Sequence, residues 1–451
     1  VVVIAHGFAG SQQLMASFAI ALARSGYLAV SFDYYGHGRN LEPLRGNVTE
    51  IDGATRYLLN QTQAVVEFAL ALPDASGELA LLGHSMASDI VVRYAQQDPR
   101  VDATIAVSMF SPEVTASEPH KLLVIVGNLE GFLKLEALRV LGMVTDNPQP
   151  GVTVVDGESG DARRVAFAEG VEHVGVLFSE TSLHESVAWL DGVYGRETER
   201  VPERRGPWIG LLLIGLCALA WPLSRCLPVV SSPPKGAALG WRQLLPVALL
   251  PAVGTPLILW HFPADFLGVL VGGYLAVHFA LYGVLTLACL WWVGRAKEQQ
   301  GQPVSRRRLS AATLLATTYT AGAIGLAIDS YVTSFAIPGL RLPLLGVMLA
   351  GTLLYFLADE WMVHGAATAR GGHLFARLCF LTSLGIAVAL SYEDLLFLLI
   401  IAAVIVIYFL IYGFFSRWTY QRTGHPAVGA IANAVAFAVA LTAVFPIMAG
   451  P

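Results

Sequence analysis

The N-terminal half of this 451-residue chain contains no cysteine, since all four cysteines occur after residue 216 (Cys217, Cys226, Cys289 and Cys379). That absence excludes a disulfide framework, a thiolate nucleophile and a zinc–thiolate site from the first half. Charged residues are scarce as well, at 14% of the chain. A composition so poor in charge is typical of a membrane protein.

The few charges are divided unequally between the two halves. Up to Arg205 there are 15 Lys+Arg and 26 Asp+Glu, whereas from Gly206 onward there are 13 and 7. The first half therefore has the charge density of a soluble acidic domain, without the basic face that nucleic-acid binding needs. The second half is nearly uncharged outside its loops. No metal or organic cofactor is implied by the sequence.

Short β-branched runs alternate with longer helical stretches in the first half. The predicted strands are 1–5, 27–33, 78–82, 103–109 and 122–126, with 152–155 and 165–169 as later ones, and helical patterns occupy 12–25, 49–71, 88–97 and 182–194. This alternation favours βαβ units and a mainly parallel sheet covered by helices on both faces.

A charged linker follows, and beyond it lie apolar runs, most of them long enough to cross roughly 30 Å of hydrocarbon as helices. Eight spans are predicted, near 207–223, 243–261, 266–293, 309–328, 342–361, 374–390, 395–415 and 427–448. We therefore divide the chain into an α/β domain at 1–195, a linker at 196–206 and an all-helical transmembrane domain at 207–451.

The strongest motif is Gly83-His84-Ser85-Met86-Ala87, which stands between the strand ELALL and a predicted helix. A sharp strand–turn–helix lifts the serine oxygen clear of the backbone, and it needs small neighbours because strand and helix pass close together. Gly83 is small, and Ala87 is still small although it replaces the usual second glycine. The motif predicts a nucleophilic serine, and the alternative is an ordinary turn between strand and helix.

Two further motifs follow predicted strands, His6–Ser11 (HGFAGS) after the first and Phe32–Asn40 (FDYYGHGRN) after the second. In this order, the three motifs resemble those of the α/β-hydrolase superfamily of lipases and esterases, over roughly residues 1–195. The resemblance implies an α/β-hydrolase fold, in which further strands normally precede the first loop. Because the chain starts at Val1 and not at Met, we expect that its natural N-terminus is missing.

The resemblance also implies that the catalytic residues follow the order Ser, acid, His along the chain. Glu130 comes just after the strand at 122–126, where many relatives have Asp, and is the expected acid. His173 follows a β-like run, precedes the last helix of the domain and is the expected base. The alternatives are Asp146, Asp156 and Asp161 for the acid and His184 for the base, while His37 and His84 are interpreted as turn residues.

In this superfamily one oxyanion donor comes from the loop after an early strand, and the other from the residue after the nucleophile. By position, these are the backbone N–H groups of Phe8, in the loop that His6 and Gly7 open, and of Met86. Two donors aimed at the tetrahedral intermediate stabilise its negative charge by roughly 3 kcal/mol each.

Ionisable side chains also occur in or beside the predicted spans, and such residues are functional candidates. They are Asp265, His278, Asp329, Asp359, Glu360 and His364. Most of them stand near the predicted ends of spans, where we expect them to reach water. His278 alone is deep, and there we expect a hydrogen bond to a neighbouring helix.

These features predict a membrane-bound serine hydrolase that cleaves carboxylic esters, with lipid or other envelope molecules as substrates. Acyl transfer by the same triad is an alternative, and so is a polytopic transporter or scaffold with a non-catalytic hydrolase-like domain. Lys and Arg alternate between many and few in successive loops, which places the hydrolase domain on the exoplasmic side for eight spans. Four arginines in the linker oppose that topology.

Overall fold

The computed structural model divides the chain into two compact units. It describes residues 1–47, 51–198, 203–261, 266–269, 271–294, 304–395 and 397–449. The first unit comprises Val1–Leu211, Ile328–Ala336 and Pro446–Pro451, and the second, called the helical unit below, comprises Leu212–Ala327 and Ile337–Phe445.

The apolar runs of the first unit pair into one seven-stranded sheet within the described residues. Its strands are β1 (Val2–Ala5), β2 (Ala29–Phe32), β3 (Leu79–His84), β4 (Val101–Val107), β5 (Lys121–Gly127), β6 (Thr153–Val155) and β7 (Ala162–Ala168). Their order is β2-β1-β3-β4-β5-β7-β6, and all neighbours are parallel except β6 and β7. The predicted, mainly parallel sheet is thus confirmed.

Helices cover both faces of this sheet. They are α1 (Ala16–Arg24), α2 (Arg56–Leu70), α3 (Met86–Gln97), α4 (Gly131–Gly142) and α5 (Glu180–Tyr194). Alternate residues of β1 point to opposite faces: Val2 and Ile4 pack in the core cluster that contains α1 and α5 residues, and Val3 packs with α2 and α3. The predicted helix at 49–71 begins at Arg56, after a π-helical turn at Ile51–Thr55, while residues 48–50 lie outside the described residues. Helix α4 was not predicted.

The helical unit and its junctions contain the apolar helices. They are α6 (Arg205–Ser224), α7 (Trp241–Leu259), α8 (Gly272–Trp292), α9 (Arg306–Thr317), α10 (Ile324–Tyr331), α11 (Leu342–Val363), α12 (Gly372–Leu390), α13 (Tyr392–Leu395), α14 (Phe397–Thr423) and α15 (Pro426–Val444). Seven helices in the described part of the chain are long and apolar enough to span a membrane, with α9 and α10 counted as one. This indicates a multi-pass membrane protein. The predicted span at 395–415 corresponds mostly to α14, and residue 396 of that span lies outside the described residues.

An ion cluster is buried where α11, α12 and α14 meet. Arg377 Nη2 lies 3.0 Å from Asp359 Oδ2 and 2.9 Å from Glu360 Oε1, and Ser416 donates to Glu360 Oε2. Asp359 is 2% exposed and Glu360 0%, and His364 is buried beside them. The expectation that these three side chains reach water is therefore wrong, because an arginine on the next helix compensates the carboxylates inside the protein.

Two other ionisable residues of the predicted spans have partners. His278 is buried and lies 3.1 Å from Ser383 Oγ on α12, so the expected hydrogen bond to a neighbouring helix is confirmed. Asp329 belongs to the first unit and pairs there with Arg39. Asp265 lies outside the described residues.

Candidate active site

Ser85 occupies the turn between β3 and α3 in a strained backbone conformation, with φ 53° and ψ −118°. Its N–H donates to the carbonyl of Val107 at the end of β4, which fixes the turn to the sheet. Positive φ is costly for a residue other than glycine, and it persists where the surroundings enforce it. The turn presents the Ser85 side chain at the carboxyl edge of the sheet.

The small residues around Ser85 are required by the close approach of β3 and α3. A Cβ added to Gly83 would lie 2.3 Å from the carbonyl oxygen of Ala87, a distance that no side chain tolerates. Ala87 itself is fully buried, so the space at this position holds a methyl group in place of the usual glycine. The departure from the usual motif is thus accommodated by the packing.

His173 lies between Ser85 and Glu130 and contacts both. Its Nε2 is 2.9 Å from Ser85 Oγ, and its Nδ1 is 2.5 Å from Glu130 Oε1. The His173 side chain is 37% exposed and that of Glu130 is 5% exposed. The structure therefore brings together the three residues that were predicted from the sequence, and it leaves the His173 side chain partly exposed.

Two groups at the ends of neighbouring strands hold the second oxygen of Glu130. Oε2 accepts a hydrogen bond of 2.8 Å from Ser108 Oγ and one of 2.7 Å from the N–H of Gly127. These donors orient the carboxylate so that Oε1 points to His173. Ser108 was not identified from the sequence. The available signal was a polar residue directly after the apolar strand β4, a feature shared by many ordinary loop residues.

His84 supports the loop that carries the base. It is buried, and its Nε2 lies 3.0 Å from the backbone carbonyl of His173. Burial, and secondarily the nearby His173, lowers the pKa of His84 to about 3. His84 is therefore neutral near pH 7 and donates from Nε2 to this carbonyl. The interpretation of His84 as only a turn residue missed this contact.

The loop His6–Ser11 lies directly against the serine. A Cβ on Gly7 would stand 2.9 Å from Ser85 Cβ, so only glycine allows this approach. His6 is buried, with Nδ1 2.8 Å from the Gly7 carbonyl and Nε2 accepting from the N–H of Tyr34. Burial lowers the pKa of His6, which favours the neutral ring that can donate at Nδ1 and accept at Nε2. The loop thus has a defined position beside Ser85.

Asp33 closes the loop that follows β2. Its carboxylate accepts hydrogen bonds from the N–H groups of Gln12 (2.7 Å) and Arg39 (2.9 Å). A Cβ on Gly38 would lie 2.4 Å from Asp33 Cγ, which explains the glycine in this motif. His37 is buried in the same loop, with its Nδ1 2.8 Å from the Tyr35 carbonyl. The two loops after β1 and β2 are consequently held to each other.

The alternative acids and base lie elsewhere. Asp161 pairs with His120 at 2.9 Å, and Asp156 accepts the N–H of Glu158 in a surface turn. Asp146 is exposed, and so is His184 on α5. In the part of the chain that the structure describes, no group of three His, Cys, Asp or Glu side chains is arranged to hold a metal ion.

Residues 1–150 match the family model described as serine aminopeptidase, S33. The match supports a hydrolase of some kind, and with the sheet it confirms the α/β-hydrolase fold of the first unit. No curated protein shows a significant match to the chain.

Solved structures with similar folds include a soluble variant of monoglyceride lipase from Saccharomyces cerevisiae. It has 14% identity, with 43% of this chain and 86% of that chain covered and a TM-score of 0.31. TT1662 from Thermus thermophilus has 15% identity, with 44% and 90% covered and a TM-score of 0.32. These likenesses bear on neither the substrate nor the mechanism.

Proposed function

We propose that the first unit is a serine hydrolase that cleaves carboxylic esters through an acyl-enzyme. The observation that carries the proposal is the chain of two contacts from Ser85 through His173 to Glu130. Ser85 Oγ attacks the carbonyl carbon while its proton moves to His173 Nε2. The C–O bond to the alcohol then breaks, and His173 returns the proton to the leaving oxygen. Water repeats both steps, which releases the carboxylic acid and restores Ser85.

Glu130 holds His173 in the reactive tautomer and stabilises the imidazolium that forms. A proton on Nδ1 bonds to Glu130 Oε1, which leaves the Nε2 lone pair free to take the serine proton. The burial of Glu130 strengthens this interaction, because charges attract more strongly where water is excluded.

The backbone N–H groups of Phe8 and Met86 are the proposed oxyanion donors. Met86 is the first residue of α3, where backbone N–H groups lack partners within the helix and the positive end of the helix dipole lies. The contact of Gly7 with Ser85 supports a place for Phe8 on the other side of the reacting oxygen. Two such donors would stabilise the tetrahedral intermediate by roughly 3 kcal/mol each.

An exposed apolar patch beside the site supports an ester with an apolar acyl group, such as a lipid. Its residues are Phe110, Leu129, Phe132 and Leu135, which are 52–67% exposed. Phe110 follows Ser108 by two residues and Leu129 precedes Glu130, and the Phe110 and Phe132 rings lie 5.7 Å apart. Large apolar groups that cluster at a surface mark binding sites more often than isolated ones.

Two alternatives use the same residues differently. Acyl transfer to an acceptor other than water requires the same triad, and the family description also makes an amide bond a candidate for cleavage. A non-catalytic binding domain would have no need for the strained Ser85 turn or for the aligned His173 and Glu130. That alignment favours catalysis over the scaffold alternative.

We propose that the first unit lies on the exoplasmic side of the membrane. The loops after spans one, three and seven carry three, five and two Lys or Arg, and the loop after span five carries Arg370; the loops after spans two and six carry none. The loop after span four carries only Arg341, and its residues Ile328–Ala336 belong to the first unit. Since one compact unit must lie on one side, this charge-poor loop supports the exoplasmic placement.

The same reasoning supports eight crossings. Four apolar helices separate Arg205 from the segment at 328–336, counting α9 and α10 as one. Between 336 and 446 there are α11, α12 and α15, and only a fourth crossing, through α14, returns the chain to the same side. In intact cells, external protease should reach the first unit and a reporter fused at Gly301 should be cytoplasmic. Protection of the first unit until the membrane is broken would contradict this topology.

The hydrolase proposal is tested with the purified full chain in detergent. A fluorophosphonate probe should label the wild type and the control Ser76→Ala, which alters an exposed serine, but not Ser85→Ala. Turnover of p-nitrophenyl butyrate should fall by at least about 10³-fold in Ser85→Ala. An aminoacyl p-nitroanilide, measured in parallel, distinguishes ester from amide cleavage. A folded wild type that neither labels nor hydrolyses would contradict the proposal and favour the scaffold alternative.

A further inference from the structure

Two segments from beyond residue 211 are built into the first unit. They are Ile328–Ala336, which includes the end of α10, and Pro446–Pro451, which follows α15. The proposed mechanism uses neither segment. The first nevertheless contacts the loops that follow β1 and β2, and the second contacts the loop that follows β2, at the same edge of the sheet as Ser85.

The first segment binds the last residue of the loop His6–Ser11. Ser11 is fully buried, and its Oγ lies 2.9 Å from Thr333 Oγ1. The same oxygen accepts a hydrogen bond of 3.0 Å from the N–H of Ser334, which is itself 2% exposed. Because that N–H donates to the Ser11 oxygen, the Ser11 hydroxyl proton is available for Thr333. Two partners therefore fix the Ser11 side chain.

Further contacts hold the loop after β2. Arg39 pairs with Asp329 at 2.8 Å, and the other oxygen of Asp329 accepts the N–H of Phe335, which closes the segment on itself. Ile447 donates its N–H to the carbonyl of Gly36 and accepts the N–H of Leu44, each at 2.9 Å. This loop in turn holds His6 through the N–H of Tyr34.

We infer that Thr333 and Ser334 are positioning residues for the proposed oxyanion donor Phe8, acting through Ser11. The inference rests on the proposed function, because it concerns the placement of that donor. Loops between strands and helices are the mobile parts of a domain, and an oxyanion donor works only when it is held within about 0.5 Å of its productive position. Ser11 lies three residues after Phe8, and it is held from the other side by residues more than 320 positions away in the chain.

The test is Thr333→Val in the full chain, which removes the hydroxyl and keeps the shape. We expect kcat for p-nitrophenyl butyrate to fall roughly 3- to 10-fold, the usual effect of one hydrogen bond, with KM unchanged. Thr333→Ser, which keeps the hydroxyl, should restore kcat. Tyr331→Phe, which removes an exposed hydroxyl from the same segment, should leave kcat unchanged.

A second measurement separates positioning from general damage. A trifluoromethyl ketone forms a tetrahedral adduct with the serine, so its Ki should rise in Thr333→Val by the same factor as kcat falls. The inference would be overturned by an unchanged kcat in Thr333→Val. It would also be overturned if the loss of kcat disappeared once rates were divided by the concentration of titrated active sites. In both cases the hydrolase proposal would stand. A wild type without any activity would overturn both. If Thr333→Val does not fold, Ser11→Ala takes its place, because it removes the hydroxyl that both Thr333 and Ser334 contact. A kcat equal to wild type in that variant would also contradict the inference.

Discussion

Replacing Glu130 with glutamine changes one atom of the proposed acid and tests its role most directly. In the wild type both oxygens face donors: Oε1 faces His173 Nδ1 at 2.5 Å, and Oε2 faces the Gly127 N–H at 2.7 Å and Ser108 Oγ at 2.8 Å. A carboxamide has one oxygen and one NH₂ group, so it satisfies only one side. Ser108 can rotate its hydroxyl to accept, but the backbone N–H of Gly127 cannot.

Either orientation of the amide is damaging. With the amide oxygen towards His173, the NH₂ group meets the Gly127 N–H, and two buried donors face each other. With the oxygen towards Gly127, the NH₂ group donates to Nδ1 and so places the imidazole proton on Nε2. That tautomer cannot accept the Ser85 proton. In serine hydrolases with this arrangement the wrong tautomer costs about 10⁴-fold in kcat. We expect a fall of about 10³- to 10⁴-fold for Glu130→Gln, or about 4 to 5.5 kcal/mol.

The assay is kcat for p-nitrophenyl butyrate, divided by active sites titrated with a fluorophosphonate. Glu130→Asp should be milder, falling about 10- to 100-fold, because the carboxylate is kept but is too short to hold both its contacts. Asp161→Asn and Asp146→Asn serve as controls, since neither carboxylate faces His173 in the structure. If Asp146→Asn or Asp161→Asn abolishes turnover while Glu130→Gln retains more than a tenth of it, the assignment of the acid is wrong.

Three further outcomes are expected. His173→Ala should lower kcat nearly as much as Ser85→Ala, and the variant with both substitutions should be little worse, while His184→Ala stays near wild type. Additive losses in the variant with both substitutions would contradict a joint role of Ser85 and His173. Gly83→Ala should lower the free energy of unfolding by roughly 2 kcal/mol or more, and the melting temperature by several degrees, because the added Cβ would overlap a backbone carbonyl. An unchanged melting temperature would refute the packing argument. At position 84 the unfolded chain binds more protons than the folded one between pH 3 and about 6.5, since burial lowers the pKa of His84 to about 3. Thermal stability should therefore fall as the pH is lowered through that window, less steeply in His84→Asn, and equal slopes would exclude His84 as a contributor.

The sequence located the candidate site because its residues stand at the ends of strands that are close in the sheet. Ser85 follows β3, Glu130 follows β5 and His173 comes soon after β7, and the sheet order places these strands within four positions of one another. In a parallel sheet all carboxyl ends lie at one edge, so strand ends that are far apart in the chain converge there. Position at a strand end, together with the serine motif and the Ser, acid, His order that the resemblance implies, therefore selected the three side chains without any knowledge of distances.

Helix α4 and Ser108 escaped sequence reasoning for physical reasons. Helix α4 exposes Phe132 and Leu135 while it buries Val140 and Leu141, so its apolar residues occupy both faces and show no helical period. Ser108 acts through one hydroxyl, which can hold the carboxylate only because Glu130, 22 residues later, is placed within hydrogen-bond distance. Neither feature has a local sequence signature, because both are defined by what packs against them.

The buried ion cluster of the helical unit shows the same limit for charge. Asp359 and Glu360 stand four and three residues before the end of α11, where a carboxylate on an isolated span would reach water. Their actual environment is set by Arg377, 17 residues after Glu360 on α12, and by Ser416 on α14. Burying a carboxylate without a cation costs roughly several kcal/mol, so the burial of these two depends on Arg377 from the neighbouring helix. Removing Arg377 should therefore destabilise the helical unit more than removing either acid, since it alone leaves two buried carboxylates without the arginine that pairs with both.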